Sequence, residues 1–459
     1  MKKIVVILWA GLITLPAVEW DVQRVTDEQT ASGGYLQLAL AADGTPVVLY
    51  EIQNPSDGLY VLKRAVRGSA SWTITNVASN TRLMDPTIVV GPLLKTFVAF
   101  SGAGAGGKGD IFLASDSGGT FSIENLTNDT VEQSAPVVRL GTDGTLHLGF
   151  IHGWSSVTQL RYGIFERTPF QSETVTDSLH DSYDFILDRQ GAPHFFYRGA
   201  RTCFWHSFRT AQPGTWQTES LTTWLYGISA AIDDSGKFHI GYMGSGEVRY
   251  LTDRSGTWQS EIAAIPPPGD GYMNPFIAVA GVHPQLVFNW WIPPRGVRMF
   301  GRDAYFSGKT DDSWSAPEKL PPAEWDKFLA GRGHCFAVDG QGFGHLALTV
   351  FENDTPRVYY ARSKEPLSTG VTERGVKPHP FALKIRGSTV ILTLSETSPL
   401  RLDLFDVLGR RMERIASGVY RAGTYFLPFR RSGLEIGVYF MRLETTKAAV
   451  TQKLIVPFF

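Results

Sequence analysis

Four arginines and six aromatic residues carry the chemistry that this sequence could do. Arg82, Arg198, Arg295 and Arg332 can each offer a carboxylate two parallel N–H donors. Trp154, Trp224, Tyr226, Tyr272, Trp291 and Trp325 offer flat faces that stack on sugar rings or fill pockets in a protein partner. An arginine cluster gripping a substrate carboxylate, joined to a tyrosine–carboxylate pair and an aspartic acid, would be glycoside hydrolysis. The same arginines and aromatics without that pair would be a binding surface. No catalytic residue is assigned.

Histidine and cysteine are less informative. His147, His194, His239 and His345 recur at one place in successive repeats, each in a different repeat, so they read as framework and neither a metal site nor a cofactor is expected. Cys203 and Cys335 are the only cysteines and fall in non-equivalent strands, which reads as two buried thiols and not a disulfide.

The elements that must position these residues are best seen from Ala230 to Trp258. There, Asp-Ser-Gly ends one short strand, His239 to Tyr242 forms a second, and Glu247 to Leu251 alternates as a half-buried third. Asp253 to Gly256 then turns into a strand led by Trp258. Related turns at Asp43-Gly44, Asp143-Gly144, Asp188 with Gly191 and Asp339 with Gly342 are spaced by about 45 residues or multiples of it, and degenerate copies at Gly91 to Phe100 and Gly281 to Phe288 fill the gaps. Seven repeats of four antiparallel strands between Val18 and Arg362 predict a seven-bladed β-propeller. The seventh repeat lacks a Trp-led fourth strand, and Trp20 to Val25 matches that pattern. The N-terminal strand is therefore expected to complete the last blade and close the ring.

In each blade the first-to-second and third-to-fourth turns share one face, and the remaining loops share the other. Trp154, Arg198, Trp224, Tyr226, Tyr272, Trp291, Arg295, Trp325 and Arg332 are all expected in loops on that second face, the site of any glycan or protein ligand.

Composition sets the wider limits. The chain has 459 residues, 43% hydrophobic and 12% aromatic, with a formal net charge of -1 and no basic run, so nucleic acid is not an expected partner. Residues 1–17 have two lysines, an apolar run from Ile4 to Leu15 and then Pro16-Ala17, the order of a secretory signal peptide. Residues 363–380 are rich in Pro, Gly, Thr and charge and read as a linker. From Phe381 short alternating strands resume without the blade motif, predicting a small immunoglobulin-like β-sandwich over 381–459. The fold class expected is thus all-β, in two domains, for a monomer.

Two resemblances add to this reading. Leu404-Phe405-Asp406-Val407-Leu408-Gly409-Arg410, Ala422-Gly423-Thr424, Gly437-Val438-Tyr439-Phe440 with Arg442-Leu443, and Gln452-Lys453-Leu454-Ile455-Val456 resemble the type IX secretion system C-terminal sorting domain of Gram-negative bacteria. Phe429 stands where that family usually has Trp. The resemblance implies a partner in the outer-membrane secretion machinery, and a passenger that travels by way of the periplasm to be secreted or held at the cell surface.

The segment from Ala114 to Phe121, with Asp116 and Gly118, is similar to the Asp-box of sialidases and related propellers, and Asp253 with Gly256 is a weaker copy. In that family the Asp-box is a structural hairpin remote from the active site, so these residues imply fold. The chain lacks the Arg-Ile-Pro motif usual in sialidases, and seven repeats exceed their usual six blades. A binding or adhesion protein is the favoured expectation and a sialidase-like glycoside hydrolase the alternative.

Overall fold

The computed structural model describes residues 18–456 except 31–34, 105, 117, 154–157, 166–169, 200–202, 210–214, 224–225, 268–270, 292–302, 311–312, 322–325, 329–333, 354, 368–380, 387–388, 395–396, 407–409, 422, 430–433, 435–436 and 446–448. It divides into two units, Met1–Gly370 and Val371–Phe459. The predicted signal peptide lies outside the described residues.

The first unit holds seven antiparallel sheets with four strand positions each, consistent with a seven-bladed β-propeller; they are called blades 1 to 7 in chain order. In blade 6 the fourth position is split between Ser313–Trp314 and Glu318–Lys319, and in blade 7 the first is split between Asp326–Phe328 and Phe336–Val338. First strands of successive blades pack against one another, and that of blade 7 packs back against that of blade 1. The fourth strand of blade 7 is Trp20–Arg24, paired antiparallel with Thr355–Ser363 in the register Trp20↔Ser363 to Arg24↔Tyr359. One strand from the start of the chain therefore supplies the backbone partners that would otherwise leave blade 7 with an open edge.

Packing follows the alternation of each strand. Clusters are shared by neighbouring blades: Val47 and Leu49 of blade 1 meet Ile88, Val98 and Phe100 of blade 2. The first strands of blades 2, 3 and 6 bulge where Asp85, Ala135 and Asn274, each with φ 49°, precede a proline. Proline has no N–H to give to the ladder, so the pairing skips at that point and resumes beyond it.

The polypeptide stays with the first unit beyond the predicted boundary at Arg362. The Lys364 N–H bonds the Glu19 carbonyl, the Leu367 N–H bonds the Gly342 carbonyl, and the Leu367 side chain covers the core behind Trp20. Cys335 is fully buried, and burial pushes its thiol up; Cys203, expected to be buried, is partly exposed, and no disulfide joins the two.

The second unit has a three-stranded sheet (Phe381–Arg386, Thr389–Leu394, Gly423–Pro428) and a four-stranded one (Arg411–Tyr420, Ser398–Asp406, Gly437–Thr445, Ala449–Val456). Val390, Leu392 and Leu394 of the first share one apolar cluster with Leu400, Leu402, Leu404, Met441 and Leu443 of the second, joined by Phe429. Asp406 accepts the Arg410 N–H at 2.9 Å and its Nε–H at 2.6 Å, joining two residues of the Leu404 to Arg410 motif. No helix among the described residues is long and apolar enough to cross a membrane.

Candidate functional site: two faces and the joints between blades

Of the nine predicted rim residues, Trp154, Trp224, Arg295, Trp325 and Arg332 lie outside the described residues. Tyr226, Tyr272 and Trp291 fall within strands Tyr226–Ile232, Gly271–Ala280 and His283–Trp291, where the sequence reading placed Tyr226 and Tyr272 in blade-to-blade loops and Trp291 in a second-to-third loop. Arg198 is corrected in the same way. The second strand of blade 4 runs from Pro193 to Gly199, so Arg198 pairs with Phe204 inside the sheet and is only 4% exposed. Arg82 is spent on a partner: its Nη2 donates to Glu132 Oε1 at 2.6 Å, and Glu132 Oε2 also accepts the Gly109 N–H at 3.0 Å. Neither of these two arginines presents an open fork to a substrate carboxylate.

The turn face is regular. Six of its first-to-second turns span 41–45, 91–95, 141–145, 188–192, 233–237 and 339–343. The second-to-third loops opposite range from 353–354 to 292–302.

On the turn face the His, Asp and Tyr groups that recur from blade to blade are consumed by the framework. His239 Nε2 meets Asp233 Oδ2 at 3.1 Å and Nδ1 meets the Tyr250 hydroxyl at 2.7 Å; His345 repeats this with Asp339 (3.0 Å) and Tyr360 (2.6 Å). His147 reaches Tyr162 at 2.6 Å and Asp143 through Thr145. Burial lowers the His239 and His345 imidazoles despite the neighbouring carboxylates, which fits Nε2–H donating to Asp and Nδ1 accepting from Tyr. Burial also raises the three tyrosines, Tyr360 to about 12, so their hydroxyls are donors and not nucleophiles. The Asp-box residues act likewise. Asp116 Oδ1 accepts the Gly119 N–H at 2.7 Å and Asp253 Oδ1 the Phe238 N–H at 2.8 Å, while Gly118 and Gly256 supply φ of 76° and 85°.

The Trp-led fourth strands explain the joints. A ring on the third strand of one blade receives the edge of a tryptophan from the next: Trp216 on Tyr162, Trp258 on His206, Trp314 on Tyr250, Trp20 on Phe306 and Trp72 on Tyr360, with centroids 5.3 to 5.9 Å apart. At three joints a cation caps the pair: Arg209 over Tyr162 and Trp216, Lys309 over Tyr250 and Trp314, Arg67 over Tyr360 and Trp72.

An acid stands beside four of these five rings on the neighbouring fourth strand. Glu173 is opposite Tyr162, Glu219 opposite His206, Glu261 opposite Tyr250 and Glu318 opposite Phe306. Glu173 pairs with Arg209 and Glu261 with Lys309, while Glu219 accepts the Trp258 indole N–H at 2.9 Å and Glu318 the Val18 N–H at 2.8 Å. Between blades 1 and 2 the signs are exchanged: Arg64 takes the ring position, lies 4.9 Å from the Phe121 centroid and pairs with Asp116.

On the axis, Arg139 of blade 3 donates from Nη2 to Asp184 Oδ1 of blade 4 at 2.7 Å. The other Asp184 oxygen accepts the Ala230 N–H of blade 5 at 2.8 Å and lies 3.2 Å from His334 Nε2. The His334 carbonyl in turn accepts the Leu38 N–H of blade 1 at 2.8 Å. Burial alone would raise the Asp184 carboxyl, but His334, Arg139 and its hydrogen bonds hold it below the ordinary carboxylate range. Sequence reading missed this brace, because its members are far apart in the chain and share no motif.

It also missed Glu51, which is 3% exposed near the loop end of the second strand of blade 1. Its Oε2 has no partner among the described residues, and burial pushes the carboxyl up to about 7. Among the described residues no three His, Cys, Asp or Glu side chains are grouped to hold a metal ion.

No family model and no curated protein matches this chain. Solved structures similar to it include PorZ of Porphyromonas gingivalis, described as an essential bacterial surface component of the type-IX secretion system. It is 12% identical over 94% of this chain and 60% of its own, with a TM-score of 0.45. The lectin SapL1, solved with alpha methyl fucoside, is 11% identical over 64% and 99% with a TM-score of 0.42. The Hadza microbial sialidase Hz136 is 12% identical over 66% and 73% with a TM-score of 0.41. Likenesses this distant assign the chain neither a family nor an activity.

Proposed function

We propose that this chain is an exported binding protein. Its propeller recognises a glycan or a protein through the loop face, and its C-terminal unit is a small immunoglobulin-like sandwich that serves as a secretion-sorting domain. The supporting observation is the contrast between the faces. The first-to-second turns repeat one length in six blades and tie their recurring His, Asp and Tyr groups into the framework, whereas the second-to-third loops opposite differ from blade to blade, as recognition surfaces do. A glycoside hydrolase of sialidase type would need free arginines for its substrate, and Arg82 is paired with Glu132 while Arg198 is buried in a strand.

The reading is tested by a glycan array and a fluorogenic sialoside assay on the full exported chain, with Trp291→Ala and Arg295→Ala beside it. Binding without turnover, weakened in both variants, is the expected result. Turnover that disappears with Arg295→Ala would replace the proposal with hydrolysis. For export, removal of residues 381–459 is expected to leave the propeller in the periplasm of a type IX-competent host; unchanged secretion would refute the sorting role.

A further inference from the structure

The joint between blades 7 and 1 departs from its relatives in one residue. The position filled by Glu173, Glu219, Glu261 and Glu318 elsewhere is occupied here by Gln23, opposite Tyr360. Arg67 caps this joint as Arg209 and Lys309 cap theirs, but no carboxylate pairs with it among the described residues. Its Nη1 is buried with no hydrogen-bond partner among the described residues, and so is Trp72 Nε1. Trp216 Nε1 likewise has no partner among the described residues, at a joint where Glu173 does pair with Arg209, so the guanidinium of Arg67 is what sets this joint apart.

Arg67 and Gln23 line a cavity of about 610 Å³ on the turn face, where the first turns of blades 1 and 7 face each other. Tyr360 and Arg362 also line it, together with the carboxylates of Asp21, Asp43 and Asp339. Asp339 is already committed to His345 and to the Gln341 and Phe343 N–H groups, and Asp43 accepts the Thr45 N–H.

We propose that this seam cavity binds a small ligand whose carboxylate takes the place of the missing glutamate on Arg67, while hydroxyl or ammonium groups on the same ligand face Asp21 and Asp43. An anion alone would meet three carboxylates, and a purely cationic ligand would leave Arg67 unpaired. A carboxylate that also carries donors satisfies both sides of the cavity. Such chemistry comes from an acidic sugar or from a zwitterionic peptide end. The site is separate from the loop face, so its failure and that of the binding reading above are distinguishable.

The test is calorimetric titration of the full exported chain with glucuronate, glycylglycine and glucose, repeated on Arg67→Gln and Gln23→Glu. Binding of glucuronate or of glycylglycine, and not of glucose, is expected, and the positive arm names the source. Each variant should weaken it at least about tenfold, the first by removing the cation and the second by supplying an internal carboxylate. Gln23→Glu restores the arrangement of the other joints and should fold at least as well as the parent, so it decides the matter if Arg67→Gln is unstable. No heat with either carboxylate, equal binding of glucose, or unchanged affinity in Gln23→Glu would overturn the proposal.

Discussion

At the joint between blades 5 and 6, Lys309 lies over Tyr250 and Trp314, and Glu261 completes the set by pairing with the ammonium and accepting the Trp314 N–H at 2.8 Å. At the joint between blades 7 and 1, Arg67 lies over Tyr360 and Trp72 and the equivalent position is Gln23. Blade 1 also holds Glu51, whose buried carboxyl lacks a partner for Oε2 among the described residues. Ring packing is thus the same in the two regions, and what differs is whether charge is neutralised within the fold. Repetition builds the scaffold; Gln23 of blade 7 and Glu51 of blade 1 are where charge is left unbalanced within it among the described residues.

The sharpest way to break the comparison is to open the joint that lies between the two regions. Trp20 is buried at the end of the strand that completes blade 7, and it packs on Phe306 of blade 6. Trp20→Ala deletes a large buried ring and is expected to cost about 3 to 5 kcal/mol in chemical denaturation, with loss of cooperativity as blade 7 frays. A cost below about 1 kcal/mol would mean that the N-terminal strand does not hold the ring closed.

Glu51 sets the next scale. Its folded-state value of about 7 lies above its ordinary 4.5, so the folded protein holds that proton more tightly than the unfolded chain. The sign follows: this contribution to stability is fully present below pH 4.5 and is lost as pH rises through about 7. The difference corresponds to about 3 kcal/mol. Denaturation midpoints measured from pH 4.5 to 8 should fall across that window in the parent and flatten in Glu51→Gln. An identical slope in the two proteins would show that Glu51 is ionised and partnered in solution.

Much of this was legible in the sequence, and the reason is repetition. The Asp-Gly turns and the Trp-led strands recur in most blades because each solves the same local problem, and the match of Trp20 to Trp72 and Trp258 was enough to place the first strand in the last blade. Arg198 was misplaced because the end of a strand leaves no mark when the residues after Phe196 alternate as readily as those before it. The joint glutamates carried a signal that went unread: Gln23, Glu219 and Glu261 each stand three residues after the tryptophan that leads their own strand. Glu173 follows a phenylalanine and Glu318 lies one residue farther on, and strand register shows that all five are one position. The Asp184 brace joins blades 3, 4, 5 and 7, a relation no local pattern encodes.

The smallest expected effect is also the most direct test of the comparison, because it exchanges the one residue that differs. Glu261→Gln should leave Lys309 with its aromatic contacts only, and Gln23→Glu should give Arg67 the carboxylate it lacks. Both positions are partly open to solvent, so each change is expected to be worth only about 0.5 to 1 kcal/mol, with opposite signs, and to shrink as salt is raised. Joined in one chain, the two substitutions should nearly cancel in stability, since the sites are far enough apart to act independently. If Gln23→Glu destabilises at low salt, the negative side chains of Asp21, Asp43 and Asp339 outweigh Arg67 at the seam. The seam would then select a cation, and the difference between the two joints would lie in the net field of the cavity, not in a missing partner.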